Sequence, residues 1–306
     1  MHSSHRPRRP LLPPPENIRS LLAYVQELLQ SHGVVDAALE ASMLVEHTTG
    51  FDRTTLLCDG RRPVHQPWID ELTLFVERRL HGEPVQYIIG NAWFYGRSFA
   101  VDPHVLIPRP ETELLVEAAL RLLPRTNRHG ARHRAVDIGT GSGVVAVTIA
   151  LENPGVHLLA TDVSPQALRL ARANSVRHGV ADAIQFCAMK SLSGLRGSFE
   201  LAVSNPPYVN HETIRSLQPE VRDYEPRVAL DGGADGLDVI RSLVDHSAFV
   251  LEEDGAIALE VGDGQAEAVR ALLERAHVWK EIEIINDYAG IPRIVHARRE
   301  TARGRH

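Results

Sequence analysis

The second half of the chain alternates between two hydrophobic patterns, and this alternation restricts the fold more than any other feature of the sequence. Short apolar runs typical of strands are separated by longer segments whose apolar residues recur every three or four positions, as on one face of a helix. Such alternation requires a mostly parallel sheet with helices on both faces, and ligands bind at the carboxyl ends of the strands in these sheets. The patterns predict strands over 134–138, 156–161, 183–188, 199–204, 256–261, 278–285 and 291–297, and helices over 143–151, 164–178, 236–251 and 265–276.

The first half of the chain has helical spacing instead. Three amphipathic segments, at 16–31, 36–48 and 68–80, predict a small helical domain that ends near Gly90. The aromatic-rich stretch 92–101 predicts a β-hairpin, and a helix over 111–123 follows with Pro110 at its first turn. We therefore expect a disordered tail over 1–15, a helical domain over 16–90, a hairpin linker over 91–109, an α/β domain over 110–298 and a second tail over 299–306.

Composition excludes several classes of protein. The chain is 43% hydrophobic and 24% charged with a net charge of −6, which is typical of a globular protein and excludes a strongly basic DNA-coating protein. The two cysteines, Cys58 and Cys187, have no metal-binding spacing, so we predict neither a disulfide scaffold nor a metal site. No apolar run approaches the ~18–20 residues that span a bilayer, and the basic, proline-rich N-terminus does not resemble a signal peptide, so we expect a cytoplasmic protein. The basic segment 124–134 is interpreted as a solvated connector, with an RNA-contacting patch as the alternative.

A glycine-rich loop joins the first predicted strand of the α/β domain to its helix. Alternate glycines allow a sharp turn and a close approach of the backbone to a ligand. Their G-x-G-x-G spacing differs from the G-x-G-x-x-G of dinucleotide-binding proteins, which speaks against NAD. The loop follows Asp137, and its candidate cofactor-binding residues are Gly139, Thr140, Gly141, Ser142 and Gly143.

Asp162 ends the second predicted strand, 19 residues after Gly143. A carboxylate at this point can accept hydrogen bonds from both hydroxyls of a ribose. The alternative is that Asp162 only caps the helix that begins near Ser164; the glycine loop at the right distance favours ribose binding. Because Asp137 and Asp162 suit a cationic nucleoside, we predict S-adenosylmethionine, which carries a sulfonium, as the cofactor.

The tetrapeptide Asn205-Pro206-Pro207-Tyr208 follows the fourth predicted strand of the α/β domain. The prolines fix the backbone and leave free carbonyl acceptors, while Asn205 adds a side-chain acceptor and Tyr208 a flat face. Together they form a rigid cradle for a planar group that carries an NH2, such as an amide or an exocyclic amine. A proline turn with a core tyrosine is the structural alternative.

With these motifs the sequence resembles the HemK/PrmC family of N5-glutamine methyltransferases, which act on peptide chain release factors. The resemblance covers roughly residues 16–298. It implies an α/β fold in which a class I, Rossmann-like, seven-stranded S-adenosylmethionine-dependent methyltransferase domain is preceded by a helical substrate-recognition domain and a β-hairpin. Besides the cofactor loop, Asp162 and the 205–208 tetrapeptide, the matching segments are 82–90, 107–113 (IPRPETE), 224–226, 229–236 and 287–290 with Arg293.

The resemblance also implies an activity and a substrate. The expected reaction transfers a methyl group to the side-chain nitrogen of the glutamine in the Gly-Gly-Gln motif of bacterial class I release factors. Asn205 and Pro206 are the expected catalytic acceptors, and residues 205–208 the expected substrate contacts, with Asn205 also beside the cofactor. Family members usually carry an acidic residue near the adenine where this chain has Lys190, and Ser191 is the expected cofactor contact there.

Three other functions stay open from the sequence. One is methylation of a glutamine of ribosomal protein L3, although Pro110-Glu111-Thr112-Glu113 favours release factors. Another is adenine-N6 methylation of DNA, which needs a base-flipping device and a recognition region that the sequence does not suggest. The last is a non-catalytic binder of translation factors, against which the intact cofactor loop argues. We expect no membrane partner and no direct nucleic-acid substrate.

Overall fold

The computed structural model describes residues 15–123, 133–190, 192–195 and 197–300. The predicted tails therefore lie outside the described residues, except for Pro15 and residues 299–300. Of the predicted basic connector, only residues 133 and 134 are described. The chain divides into two compact units at Gly90–Asn91, and each is treated by itself below.

The first unit is helical. Helix α1 begins with a capping box in which Asn17 and Ser20 bond each other's backbone N–H groups, and it buries Ile18, Leu21 and Val25 in the unit's apolar core. The three predicted helices are present, together with two short ones that contain too few turns to show a periodic pattern. The helices are α1 (Ile18–Ser31), α2 (Ala37–Thr49), α3 (Arg53–Cys58), α4 (Gln66–Leu80) and α5 (Val85–Ile89).

The second unit begins with the predicted hairpin and continues as an α/β domain. Its strands are β1 (Asn91–Phe94), β2 (Arg97–Ala100), β3 (His133–Ile138), β4 (Val156–Asp162), β5 (Ile184–Ala188), β6 (Phe199–Ser204), β7 (Leu251–Glu260), β8 (Trp279–Asn286) and β9 (Pro292–Arg299). Its helices are α6 (Thr112–Leu122), α7 (Val144–Glu152), α8 (Pro165–Arg177), α9 (His211–Ile214), α10 (Pro219–Tyr224), α11 (Asp238–Val250) and α12 (Ala266–Ala276). Short 3-10 turns occupy Ala181–Ala183, Leu192–Gly194 and Arg227–Ala229.

Strands β3 to β9 form one seven-stranded sheet in the order β5-β4-β3-β6-β7-β9-β8. The first five strands of this order are parallel, and β9 runs antiparallel to both of its neighbours. All seven predicted sheet strands are present, so the predicted seven-stranded α/β fold is confirmed. The chain leaves β3 towards β4 and β5 and then returns to β6 on the other side, which places a topological switch point at the carboxyl ends of β3 and β6.

Helices cover both faces of the sheet, as the strand pattern predicts. On β6, Leu201 and Val203 belong to an apolar cluster that includes residues of α6 and α7. The alternate residue Ala202 belongs to a second cluster, with residues of α11 and α12. Alternate residues of β6 thus belong to two apolar cores, one on each face of the sheet. Polar loops occupy the carboxyl edge of the sheet between these cores.

The described ranges contain no helix that is long and apolar enough to cross a membrane.

Candidate active site

A cavity of about 580 Å³ lies at the carboxyl ends of β3, β4, β5 and β6. Its walls come from the loops that follow these strands and from the segment that leads into α6. Gly143 and Tyr208, two of the predicted site residues, are absent from the described lining, and Ser191 lies outside the described residues. The predicted site residues that do line the cavity are Gly139, Thr140, Gly141, Ser142, Asp162, Asn205, Pro206 and Pro207.

The glycine loop needs its glycines for two different reasons. Gly139, Gly141 and Gly143 have φ angles of 74°, 56° and 82°, in the left-handed region that residues with a Cβ rarely adopt. A Cβ at Gly143 would also lie 3.0 Å from the Cβ of Ala171 on α8. Gly139 and Gly141 therefore shape the cavity wall, whereas Gly143 lets α7 begin against α8.

Asp162 is engaged by the backbone of two loops. Its Oδ2 accepts a hydrogen bond from the Gly141 N–H at 2.9 Å, and its Oδ1 accepts one from the Ser164 N–H at 2.9 Å. Helix α8 is capped separately, because the Ser164 hydroxyl accepts from the Ala167 N–H at 3.2 Å. The carboxylate thus fixes the glycine loop against the end of β4 while it borders the cavity.

Asp137 is a second carboxylate at the cavity and is buried. Burial raises its pKa to about 7, the nearby Asp162 charge acts in the same direction, and a 2.6 Å hydrogen bond from the Thr140 hydroxyl opposes both. A cationic ligand would favour its ionised form. The left-handed glycines, the half-buried Asp162 and the buried Asp137 together fit a cationic nucleoside such as S-adenosylmethionine.

Asn205 is held by a residue that the sequence analysis did not single out. The Asn205 amide nitrogen donates a hydrogen bond of 3.0 Å to the hydroxyl of Thr112, the buried first residue of α6. This contact uses the nitrogen end of the amide and leaves the oxygen Oδ1 as the acceptor available at the cavity. Thr112 belongs to the 107–113 motif, and this motif was the only sequence feature that pointed to it. No spacing rule connects Thr112 with Asn205, which lies 93 positions further along the chain.

Tyr208 is bonded to two residues outside the tetrapeptide. Its hydroxyl donates to Oε1 of Glu260 at 3.3 Å, and its carbonyl accepts from the Gln265 side chain at 2.9 Å. Burial, followed by the Glu260 charge, raises the pKa of the Tyr208 hydroxyl. The ring packs against the apolar cluster that contains residues of α11 and α12, and so supports the proline turn.

A partly buried ion pair joins two more of the motif segments beside the cavity. Arg109 donates a 2.7 Å hydrogen bond to Glu225, whose side chain is only 1% exposed, and another of 3.1 Å to the Ile107 carbonyl. Burial raises the pKa of Glu225, and the Arg109 charge opposes this rise. The pair ties the segment before α6 to the loop after β6. Lys190 also lines the cavity and is exposed.

The fold and parts of the chain match known proteins. Residues 20–90 match the PrmC N-terminal domain, and residues 112–219 match the methyltransferase small domain. A methyltransferase from Pyrococcus furiosus shares 16% identity, covers 74% of this chain and 98% of its own, and superposes with a TM-score of 0.50. The hMettl16 catalytic domain in complex with MAT2A 3'UTR hairpin 6 shares 15% identity, covers 78% of this chain and 85% of its own, and gives 0.53. Fold and site define a class I methyltransferase that uses S-adenosylmethionine.

Proteins with similar sequences identify the family within this class of methyltransferases. The release factor glutamine methyltransferase of Bradyrhizobium diazoefficiens is 38% identical over 93% of this chain and 95% of its own length. That of Geobacter sulfurreducens is 39% identical over 92% of this chain and 96% of its own length. The chain belongs to the family of release factor glutamine methyltransferases, as its motifs predicted.

Proposed function

We propose that this protein methylates the side-chain N5 nitrogen of the glutamine in the Gly-Gly-Gln motif of bacterial class I release factors. The observation that carries the proposal is the fixed orientation of Asn205, whose amide nitrogen is engaged by Thr112 beside the cavity that the glycine loop lines. An acceptor held at this place suits a substrate that presents an NH2 group. The names of the relatives supply the substrate, and they favour release factors over ribosomal protein L3 and over DNA adenine.

The cofactor contacts are proposed to follow the geometry of the loops. Asp162 would hold the ribose hydroxyls, and Asp137 would face the positive end of the cofactor. When bound, S-adenosylmethionine supplies a methyl group on an electrophilic sulfonium. The remaining proposed contacts are Gly139, Thr140, Gly141, Ser142, Gly143, Asn205 and the undescribed Ser191.

The residues of the cradle would act on the glutamine amide. An amide nitrogen is a poor nucleophile because its lone pair is delocalised. Asn205 Oδ1 and the Pro206 carbonyl would accept its two hydrogens and hold the nitrogen in line for transfer, an orientation that can supply up to ~7–11 kcal/mol of a barrier. As the nitrogen pyramidalises, the same acceptors stabilise the positive charge that develops on it, and the proton then leaves to water.

The other members of the tetrapeptide would shape the cleft. Pro207 lines the cavity with Pro206 and would contact the substrate directly. Tyr208 remains a predicted substrate contact, and its bonds to Glu260 and Gln265 give it a supporting role in the turn. We assign recognition of the release factor to the helical domain over 16–90, the hairpin linker to 91–109 and catalysis to the domain over 110–298. We place the protein in the cytoplasm, where release factors work, and assign it no nucleic-acid substrate.

The test is mass spectrometry of release factors, ribosomal proteins and DNA after incubation with the protein and S-adenosylmethionine. We expect a 14-Da gain on the glutamine of Gly-Gly-Gln and none on a release factor in which this glutamine is replaced by asparagine. For Asn205→Ala we expect a single-turnover rate on the order of 10²–10³ lower, as for loss of one transition-state hydrogen-bond partner. A gain on both release factors, or on ribosomal protein L3 in preference to either, contradicts the proposed substrate.

A further inference from the structure

The loop over 229–236 packs against the backbone of the 205–208 tetrapeptide. A Cβ at Gly232 would lie 2.7 Å from the Pro207 carbonyl oxygen, and one at Gly236 would lie 2.3 Å from the Tyr208 carbonyl oxygen. Both distances are too short for a side chain, so only glycine permits the contact at either position. The loop therefore lies directly against the last two carbonyl groups of the tetrapeptide.

Two hydrogen bonds hold the peptide group between Tyr208 and Val209 from opposite ends. Its N–H, which belongs to Val209, donates to the Leu230 carbonyl at 2.9 Å. Its carbonyl, which belongs to Tyr208, accepts from the Gln265 side chain at 2.9 Å. Because a peptide group is planar, a bond at each end restricts the rotation of the whole group. The Val209 carbonyl extends the contact by accepting from the Gly232 N–H at 2.9 Å.

The side-chain amide of Gln265 has one orientation that satisfies both of its partners. Its Nε2 donates to the Tyr208 carbonyl, and its Oε1 accepts from the Gly262 N–H at 2.9 Å. A carbonyl can only accept and an N–H can only donate, so a flipped amide would lose both bonds. A Cβ at Gly236 would lie 2.6 Å from Nε2, so this glycine also makes room for the amide. Gln265 thereby ties the tetrapeptide to the segment between β7 and α12.

The sheet fixes the other end of the tetrapeptide. Ser204 pairs with β7, and its hydroxyl donates to the Ile138 carbonyl at 2.6 Å. Between Ser204 and the peptide group that follows Tyr208 there are one asparagine and two prolines, and the proline rings fix φ. Few backbone rotations are then free in this segment. The direction of the Pro206 carbonyl, one of the two proposed acceptors, therefore depends on both of these fixed ends.

We propose that Gln265 is a positioning residue for methyl transfer, which holds the Tyr208–Val209 peptide group and so fixes the direction of the Pro206 carbonyl. The proposal rests on the proposed function, because this carbonyl acts on a substrate only there. Gln265 is absent from the described lining of the cavity, so it acts through the tetrapeptide and does not touch the reacting atoms. The proposal also gives the loop over 229–236 a physical role, because its glycines make room for the bond.

Two variants test the bond to Tyr208. Gln265→Met removes both polar ends, whereas Gln265→Glu keeps the shape and the acceptor for Gly262 and, when ionised at pH 8, has no proton to donate. With release factor at pH 8 and 25 °C, we expect each to lower kcat about 10-fold or more, the equivalent of one hydrogen bond. The KM for release factor and the affinity for S-adenosylmethionine should change little, because the proposed contacts of both ligands exclude Gln265.

The matched control is Gln185→Met, at an exposed position of β5, which should keep the wild-type kcat. A wild-type kcat in either Gln265 variant, or an equal loss in the control, overturns the proposal. If only the melting temperature of the Gln265 variants falls and kcat is unchanged, Gln265 merely stabilises the fold.

Amide hydrogen exchange of the free protein separates this proposal from the proposed function. We expect the Val209 N–H to exchange about 10-fold faster in Gln265→Met and Gln265→Glu than in the wild type. The Val261 N–H, which donates to the Arg293 carbonyl at 2.8 Å, is the internal control and should not change. If the wild-type protein does not methylate release factors, the proposed function fails, and the exchange of Val209 still decides whether Gln265 holds the peptide group. Equal exchange of Val209 in all three proteins overturns the present proposal, whatever the substrate.

Discussion

Asp162 organises two loops and also borders the cavity where the cofactor is proposed to bind. Its two oxygens accept from the Gly141 and Ser164 N–H groups, so the carboxylate organises the loop whose ligand it is proposed to bind. Of the two alternatives drawn from the sequence, helix capping belongs to Ser164, whereas Asp162 contacts only the turn before α8 and lies where a ribose could bind. The negative charge of Asp162 strengthens hydrogen bonds from backbone N–H groups and from ribose hydroxyls alike.

For Asp162→Ala we expect a loss of cofactor affinity of at least about 100-fold, because two charge-assisted hydrogen bonds of about 1.5–3 kcal/mol each are removed. Calorimetric titration measures this, with the exposed Asp182→Ala as the matched control. An analogue of the cofactor without the ribose 2′-hydroxyl separates ribose binding from damage to the loop. The wild type should bind this analogue more weakly than the parent ligand, and Asp162→Ala should not distinguish the two. A variant that still distinguishes them would show that Asp162 serves only the loop.

Among single residues, the sequence predicts those whose role follows from their immediate neighbours in the chain. The glycine loop, Asp162 and Asn205 each lie at the carboxyl end of a strand, and a local pattern is sufficient to identify them. Thr112, Glu225 and Glu260 were not identified as site residues, because their roles depend on contacts between segments far apart in the chain. Gly143 was predicted as a cofactor contact, but its surroundings show what the pattern alone could not: its missing Cβ makes room for Ala171.

At the scale of elements, one buried side chain connects the hairpin with the cofactor loop. Asn174 on α8 accepts from the Ala100 N–H at 2.8 Å and donates to the Ala100 carbonyl at 3.0 Å. It also donates to the Ser142 carbonyl at 2.8 Å, inside the glycine loop. Asn174 is fully buried, so α8 satisfies the backbone of β2 and of the loop without water.

Replacing Asn174 by alanine removes three hydrogen bonds and leaves buried backbone groups unpaired, which we expect to cost about 2–5 kcal/mol of the free energy of unfolding. Urea unfolding measures the loss, and Asn286→Ala, at an exposed position, is the matched control. Amide exchange at Ala100 should accelerate as the end of β2 loosens. We also expect weaker binding of S-adenosylmethionine, because the loop loses its support at Ser142. Unchanged unfolding in both variants would mean that water replaces the amide at no cost.

Element prediction was most successful where elements are long and periodic. The seven strands of the sheet were all identified, because each has an apolar run of strand length. No element was predicted over 205–235, between the strand over 199–204 and the helix over 236–251, but this segment contains α9, α10 and a 3-10 turn. These pieces have at most six residues each, which is too short for a hydrophobic period to appear. They begin at local signals instead, at the Asn210 cap and at Pro219.

For the whole molecule, the chain combines a helical unit with a catalytic one. Their division at Gly90–Asn91 coincides with the end of the match to the PrmC N-terminal domain. The cofactor loop, Asp162 and the proline cradle all belong to the second unit. The proposed cofactor contacts therefore all belong to one unit, which leaves the first unit available for a different task. We propose that this task is recognition of the release factor. No short motif in the sequence of this chain describes the shape of that partner.

Deletion of residues 1–90 tests this division of labour. Two glycines before the target give the release factor a slim, flexible loop that can carry a glutamine into a narrow cleft. Binding energy from contacts remote from the reacting atoms is what holds such a loop in the reactive position. We therefore expect the deletion to lower kcat/KM on whole release factor by on the order of 10²-fold or more, while S-adenosylmethionine affinity changes little.

A short Gly-Gly-Gln peptide should react slowly, and at the same rate with both proteins, because it makes no remote contacts. Thermal unfolding and calorimetric titration of the truncated protein establish that its catalytic unit is intact. Equal kcat/KM values on whole release factor for the full-length and truncated proteins would show that the helical unit does not recognise the substrate.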